Sequence, residues 1–406
     1  MPSTPHSARE PDHSLPTWRV CAAAAIALGA AMGIGRFAFT PQLPLMLRDG
    51  VLDADAGAWL AAANYAGYLV GALLAARLMA RPRRLVLACL FATAVVTGAA
   101  GLTHGLAAWL ILRAAAGVLS AWALVAVSTW GIGELMQRGR ADASGWIFSG
   151  VGFGIAAVGF LAWAWGGAGS AALWLALGAV AALLALLVWH LWPATAPVPR
   201  GSVQSTTRAR MPRGSAGLIF CYGSFGFGYI LPATYLPTLA RALVDDPRLF
   251  GLAWPVFGLA AAASTLLAAA ALRRWRLLAV WSSCHLLMAA GTVLPLLSRS
   301  GFAIALAALL VGGTFMVATM TGLQQARQLA QSNPAPLLGR MTAAFAIGQI
   351  AGPLVVLVLA RLPLAGWSGI EATLLVAALL LCATALWLRH PSTQREATND
   401  YSSKVD

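Results

Sequence analysis

The sequence predicts an all-α membrane protein: twelve transmembrane helices in two pseudo-symmetric six-helix halves. Three observations carry that expectation. The 406-residue chain is 60% hydrophobic and only 10% charged. Its apolar residues fall in long unbroken blocks. Its arginines collect in alternate joints between those blocks.

Composition excludes an ordinary soluble fold. A soluble domain carries roughly 25% charged residues. With a mean hydropathy of +0.76, too little polar surface remains to cover a protein of this size in water. A bilayer removes the difficulty, but only helices and closed barrels satisfy every backbone group inside it. The blocks are continuous and do not alternate, so helices are expected rather than a barrel.

A crossing helix takes about 20 apolar residues. Twelve stretches meet that measure: 19–47, 56–79, 85–102, 106–131, 144–166, 170–192, 215–240, 249–272, 277–297, 301–323, 341–361 and 368–388. Short joints separate them, except for 193–214, which is rich in Pro, Ser, Thr and Arg. The expected organisation is an N-terminal tail (1–18), a first half (19–192), a linker (193–214), a second half (215–388) and a C-terminal tail (389–406). The first block is too long for the apolar core of a signal peptide, and Glu10 and Asp12 precede it, so no cleavable leader is expected.

The formal charge of +14 is almost all arginine, with Lys404 the single lysine. Placed with both termini in the cytoplasm, the inner segments hold 20 of the 27 basic residues and the outer ones five, Arg48, Arg241, Arg248, Arg299 and Arg361. That asymmetry is the positive-inside pattern, and a wrong helix count would scramble it. It points to an integral protein of a bacterial inner membrane, not to a partner of nucleic acid. The five cysteines, Cys21, Cys89, Cys221, Cys284 and Cys382, lie in five different blocks, so neither a disulfide nor a metal site is expected. No cofactor is expected either.

The halves repeat. Gly33-Ile-Gly-Arg-Phe-Ala-Phe-Thr-Pro-Gln-Leu-Pro44 aligns with Gly226-Phe-Gly-Tyr-Ile-Leu-Pro-Ala-Thr-Tyr-Leu-Pro237 at an offset of 226 − 33 = 193. Gly154 and Ala157 align with Gly348 and Ala351 at an offset of 194. Parallel six-helix repeats with a substrate held near the midplane are one architecture of secondary transporters.

Two arginines lie inside blocks. Arg36 follows Gly33 and Gly35 and precedes Pro41 and Pro44, residues that loosen a helix. It reads either as a cationic anchor for an anionic substrate or as a structural arginine on nearby carbonyls. Arg113 shares a face with Gly117 and Ser120 and reads either as a cavity cation or as a snorkelling side chain. No acid stands in the apolar interior, so the cavity is expected to be positive and its small-molecule cargo an anion. Protons then travel with a carboxylic acid cargo, or anions exchange; His285 is a possible titrating group, or a buried neutral one. Asn64, Tyr65 and Tyr68 in the second block bond either cargo or a neighbouring helix. In the second half, Tyr229 stands where Arg36 stands in the first. Tyr222, Phe225 and Tyr235 share its block, and Thr319, Gln324 and Gln349 add polarity further on. These residues are expected to form an aromatic and amide wall facing the arginines. Gly150, Gly152 and Gly154 read as helix-packing glycines, since no strand precedes them.

Together these stretches resemble the major facilitator superfamily over nearly the whole chain. Gly33–Pro41 with Leu43-Pro44, Ala61–Gly71, Phe225–Thr234 and Thr342–Pro353 resemble its YbfB/YjiJ-type branch. Gly71 and Arg81-Pro-Arg-Arg84 resemble the ends of the superfamily's loop signature without its Asp. Arg113 with Gly117 resembles its fourth-span R-x-x-x-G signature. The resemblance implies alternating access around a central site lined by helices one, four, seven and ten, in a chain acting as a monomer. Other readings of the same composition are a broad-specificity drug exporter, a membrane-embedded enzyme and a non-transporting sensor on the same scaffold.

Overall fold

The computed structural model describes residues 15–79, 81–192, 212–241, 252–298, 300–362 and 366–390, with the side chains of all of these but 54, 166, 234–241 and 253. Most of both expected tails and of the 193–214 linker, and Asp245, Asp246, Arg248 and Arg299, lie outside these residues, as does the side chain of Tyr235.

Among the described residues the secondary structure is entirely helical, with 12 helices long and apolar enough to cross a membrane. In chain order they are α1 (Thr17–Arg48), α2 (Ala54–Leu78), α3 (Pro82–Ala100), α4 (Leu106–Gln137), α5 (Ser144–Trp165) and α6 (Ser170–Leu191). The second set is α7 (Ser215–Arg241), α8 (Ala253–Ala271), α9 (Leu277–Leu297), α10 (Gly301–Leu329), α11 (Ala335–Leu359) and α12 (Gly369–Arg389). Outward-facing Val95, Ile111, Leu267, Phe302 and Leu386 are each more than two-thirds exposed. Water would not tolerate that belt; lipid is its solvent.

Three helices run past the sequence limits by about a turn and a half each. α4 continues to Gln137 rather than stopping at 131, α10 to Leu329 rather than 323, and α11 begins at Ala335 rather than 341. Hydropathy measures the apolar part of a helix, whereas the hydrogen-bond ladder continues through polar residues such as Glu134, Gln324 and Arg340. Helix starts carry legible caps. The Asp53 carboxylate accepts from the Ala56 N–H at 2.8 Å, and Ser368 with Glu371 forms a capping box.

The arginines at the Arg-rich end also hold helix ends. Arg83 donates to the carbonyls of Trp192 and Trp189, and Arg19 donates to that of His190, all at the C-terminus of α6. Positive charge there complements the helix dipole.

Glycines set the crossings. A Cβ on Gly33 would lie 2.6 Å from the Gly154 backbone, so α1 and α5 touch main chain to main chain. In the second half a Cβ on Gly226 or Gly348 would collide with the facing backbone of α11 or α7. The glycines aligned by the repeat therefore sit at equivalent crossings. Between the halves, α5 packs on α8 through Gly152 and Gly258, and α2 meets α11 where Gly339 lies against the Ala72 carbonyl.

Candidate functional site

The site begins with a fault in α1. Six residues, Gly29–Ile34, form a π-helical turn. Gly35 and Phe37 then reach back five residues, to Ala30 (3.0 Å) and Met32 (2.9 Å). Thr40 turns to the Phe37 carbonyl at 3.2 Å, and Pro41 brings no N–H. Residues 35–38 therefore leave the regular ladder before the helix resumes at Phe39. π turns recur at functional sites, and this one delivers Arg36 to the centre of the bundle.

Arg36 is 4% exposed. Its guanidinium carbon lies 3.6 Å from the centre of the Tyr68 ring, with Tyr65 at 5.9 Å and Phe37 at 5.8 Å. That is a cation–π cradle in a desolvated place, where such contacts are strongest. Nη2 donates to the Gln349 side-chain oxygen on α11. Nη1 is buried and has no hydrogen-bond partner. Among the described residues the buried charged side chains are these two arginines, and no carboxylate is buried with them.

Arg113 behaves differently, although it is as deeply buried at 5%. Its Nη1 and Nη2 face the carbonyls of Gly35 and Arg36 at 3.4 and 3.3 Å, two groups near the fault in α1. Phe39 lies 4.7 Å beneath it. Beside Arg113 and Thr97 is a cavity of about 10 Å³, the room of a single water. Asn64 donates to the Arg113 carbonyl at 3.0 Å and so ties α2 to α4. Arg113 thus serves the backbone around Arg36, and Asn64 serves the backbone of Arg113.

The facing wall comes from α7, α10 and α11. Tyr229 stacks on Phe315 at 5.0 Å and on Phe345 at 6.2 Å. Tyr222 packs against Phe225, Phe345 and Trp281 and reaches the Thr319 hydroxyl, which in turn donates to the Phe315 carbonyl at 2.9 Å. Tyr65, from the first half, packs on the Phe227, Ile230 and Leu231 cluster of α7. His285 takes the local-bond reading, with Nδ1 2.8 Å from the Thr384 hydroxyl.

The structure thus brings Arg36, Tyr65, Tyr68, Tyr222, Tyr229, Thr319 and Gln349 to one central region. Gln324 is not there. It lies near the end of α10, accepting from Ser144 at 3.1 Å and donating to the Ala141 carbonyl at 3.3 Å. The expected walls are also mixed: Tyr65 and Tyr68 stand beside the arginine, and the amide of Gln349 reaches it from the other half. Sequence reading passed over Phe37, Phe315 and Phe345. A phenylalanine in an apolar block carries no polar signal; only the repeat, which places Phe227 opposite Ile34, touches that face at all.

Two six-helix bundles joined through α2–α11 and α5–α8 make the fold of a secondary transporter of the major facilitator (MFS) class. The chain belongs to the family described as uncharacterised MFS-type transporter YbfB, whose family model matches residues 28–388. No curated protein matches the sequence. The crystal structure of the human organic anion transporter MFSD10 (TETRAN) matches 93% of this chain and 100% of its own, with a TM-score of 0.72 and 17% identity. At that identity the likeness is one of fold. Family and fold are those of transporters embedded in a bilayer and handling small solutes.

Proposed function

We propose that the protein carries a small organic anion by alternating access, with Arg36 as its anchor. The observation that carries this reading is the unpartnered Nη1 of Arg36, buried between the two halves with no buried carboxylate among the described residues. A charge at bilayer depth costs roughly 2.5–3.5 kcal/mol and is retained where it faces a cavity or a partner. Gln349 occupies one edge of the guanidinium fork; a carboxylate would take the other, or both, in bidentate form. The MFSD10 title names organic anions as the cargo of that protein, which agrees with the reading without carrying it.

Halves 19–192 and 215–388 rock about this centre. Both termini face the cytoplasm of a bacterial inner membrane, as the arginine distribution supports, and one chain suffices because the site lies within it. Among the described residues the site brings no acid to carry a proton, so protons accompany the cargo as its conjugate acid, or one anion exchanges for another.

The test is a thermal-shift screen of the purified protein against organic anions and lipophilic cations. A bound ligand raises Tm by mass action. Stabilisation by carboxylates, absent in Arg36→Gln, supports the reading. Stabilisation by lipophilic cations alone overturns it in favour of drug export, which the aromatic surroundings would also suit.

A further inference from the structure

The rings opposite Arg36 are ordered. Trp254 stacks on Phe257 at 5.3 Å and 10°, Phe257 on Phe315 at 5.4 Å and 19°, Phe315 on Tyr229 at 5.0 Å and 23°, and Tyr229 on Phe345 at 6.2 Å and 27°. Five rings from four helices therefore form one near-parallel series. Close packing alone does not require this. Around Tyr222 and Phe225 in the same half, ring pairs meet at 31° to 72°.

The series also has a direction. Trp254 stands in the first turn of α8, at the bundle end opposite the Arg-rich joints. Tyr229 and Phe345 stand at mid-helix, in the central region with Arg36. The indole N–H of Trp254 is buried without a partner, as are those of Trp109, Trp122, Trp174 and Trp281, so the donor that singles out the central end is Nη1 of Arg36. Phe37 of the first half meets Phe315 edge-on, at 6.3 Å and 78°, and links the series to the arginine's own segment.

From this geometry we infer that the cargo is a planar aromatic monocarboxylate, its ring against the series and its carboxylate at Arg36. The inference rests on the anion reading of the same site and adds the shape of the anion. Stacking favours a flat aromatic ring, because an aromatic pair gains an attraction beyond area burial that a saturated ring does not. The charge is single, because Arg36 alone offers a free terminal nitrogen: Arg113 gives both of its terminal nitrogens to the carbonyls of Gly35 and Arg36 and keeps only Nε unpartnered.

The experiment compares benzoate with cyclohexanecarboxylate, which has the same charge and similar size but a puckered ring, and with benzylammonium, which keeps the ring and reverses the charge. Binding to the full-length purified protein is measured by competition and thermal shift. The expected result is benzoate binding about tenfold more tightly than cyclohexanecarboxylate, the value of one or two good ring stacks. In Phe315→Leu the ratio falls towards one while cyclohexanecarboxylate affinity is kept. Equal affinities in the wild-type protein overturn the inference and leave the anion reading standing. Binding of benzylammonium alone overturns both. No binding by benzoate or the larger 2-naphthoate overturns the aromatic assignment. The wild-type ratio decides the matter even if Phe315→Leu fails to fold.

Discussion

Under the proposal two arginines of nearly equal burial take different roles, and the difference lies in what their terminal nitrogens touch. Arg36 lies against the face of Tyr68, meets Gln349 with one nitrogen and leaves another free. Arg113 spends its terminal nitrogens on main-chain carbonyls. Arg36→Gln is therefore expected to fold with a nearly unchanged Tm and to lose anion binding. Arg113→Met leaves the Gly35 and Arg36 carbonyls without a donor in a dry site, an omission of about 1–3 kcal/mol. It is expected to lower Tm clearly, as measured by thermal unfolding in detergent. A drop in Tm for Arg36→Gln larger than for Arg113→Met would reverse these assignments. The presence of both arginines in membrane blocks was legible in the sequence, because charge is conspicuous there. Their division of labour was not. It depends on a contact across 313 residues of chain, Arg36 to Gln349, and on which carbonyls a π turn releases.

Helices tell the same story one level up. The glycines aligned by the internal repeat, Gly33 with Gly226 and Gly154 with Gly348, come out at matching α1–α5 and α7–α11 crossings, so the sequence carried the packing plan. Gly154→Val places a side chain 2.5 Å from the Gly29 carbonyl. Such overpacking typically costs about 1–3 kcal/mol, and a reduced Tm with reduced transport is expected. Helix ends were less legible: α4 and α10 extend because their last turns are polar yet still helical. The joint after α1 adds a pH dependence. The Asp49 carboxylate accepts from the Ser170 N–H at 2.6 Å and pairs with Arg48 at 2.7 Å. The Ser170 N–H first, and Arg48 with it, hold its carboxyl below the usual carboxylate range. Its folded-state pKa is depressed, so its contribution is present above the unfolded value, about 3.9, and disappears as pH falls through the lower folded value. Asp49→Asn should lower Tm slightly at pH 7, with the gap to wild type closing below about pH 4. A gap that persists once the pH is well below the depressed folded value would mean the carboxylate's charge is not the cause.

For the whole molecule, the informative contacts are those between halves at the Arg-rich end. Ser144 donates to Gln324 at 3.1 Å, Arg273 meets Asp142 at 3.2 Å, and the Arg327 guanidinium lies against Gly133. The two halves are in contact there, and alternating access requires those contacts to open. With the five native cysteines replaced by alanine, Ser144→Cys with Gln324→Cys should be joined by a short thiol crosslinker. Transport should stop on joining and return on reduction; continued transport would mean this end need not open. Fold class and helix number were legible from composition and arginine spacing, since a bilayer permits few solutions. The closed contact at this end was not, since hydropathy says nothing of which halves touch. The central claim is that Arg36 holds the anion. It is tested most directly by counterflow of labelled benzoate into proteoliposomes, wild type beside Arg36→Gln at matched protein incorporation. The account predicts accumulation by the wild-type protein and none above empty liposomes for the variant. Equal accumulation by a folded Arg36→Gln would contradict it.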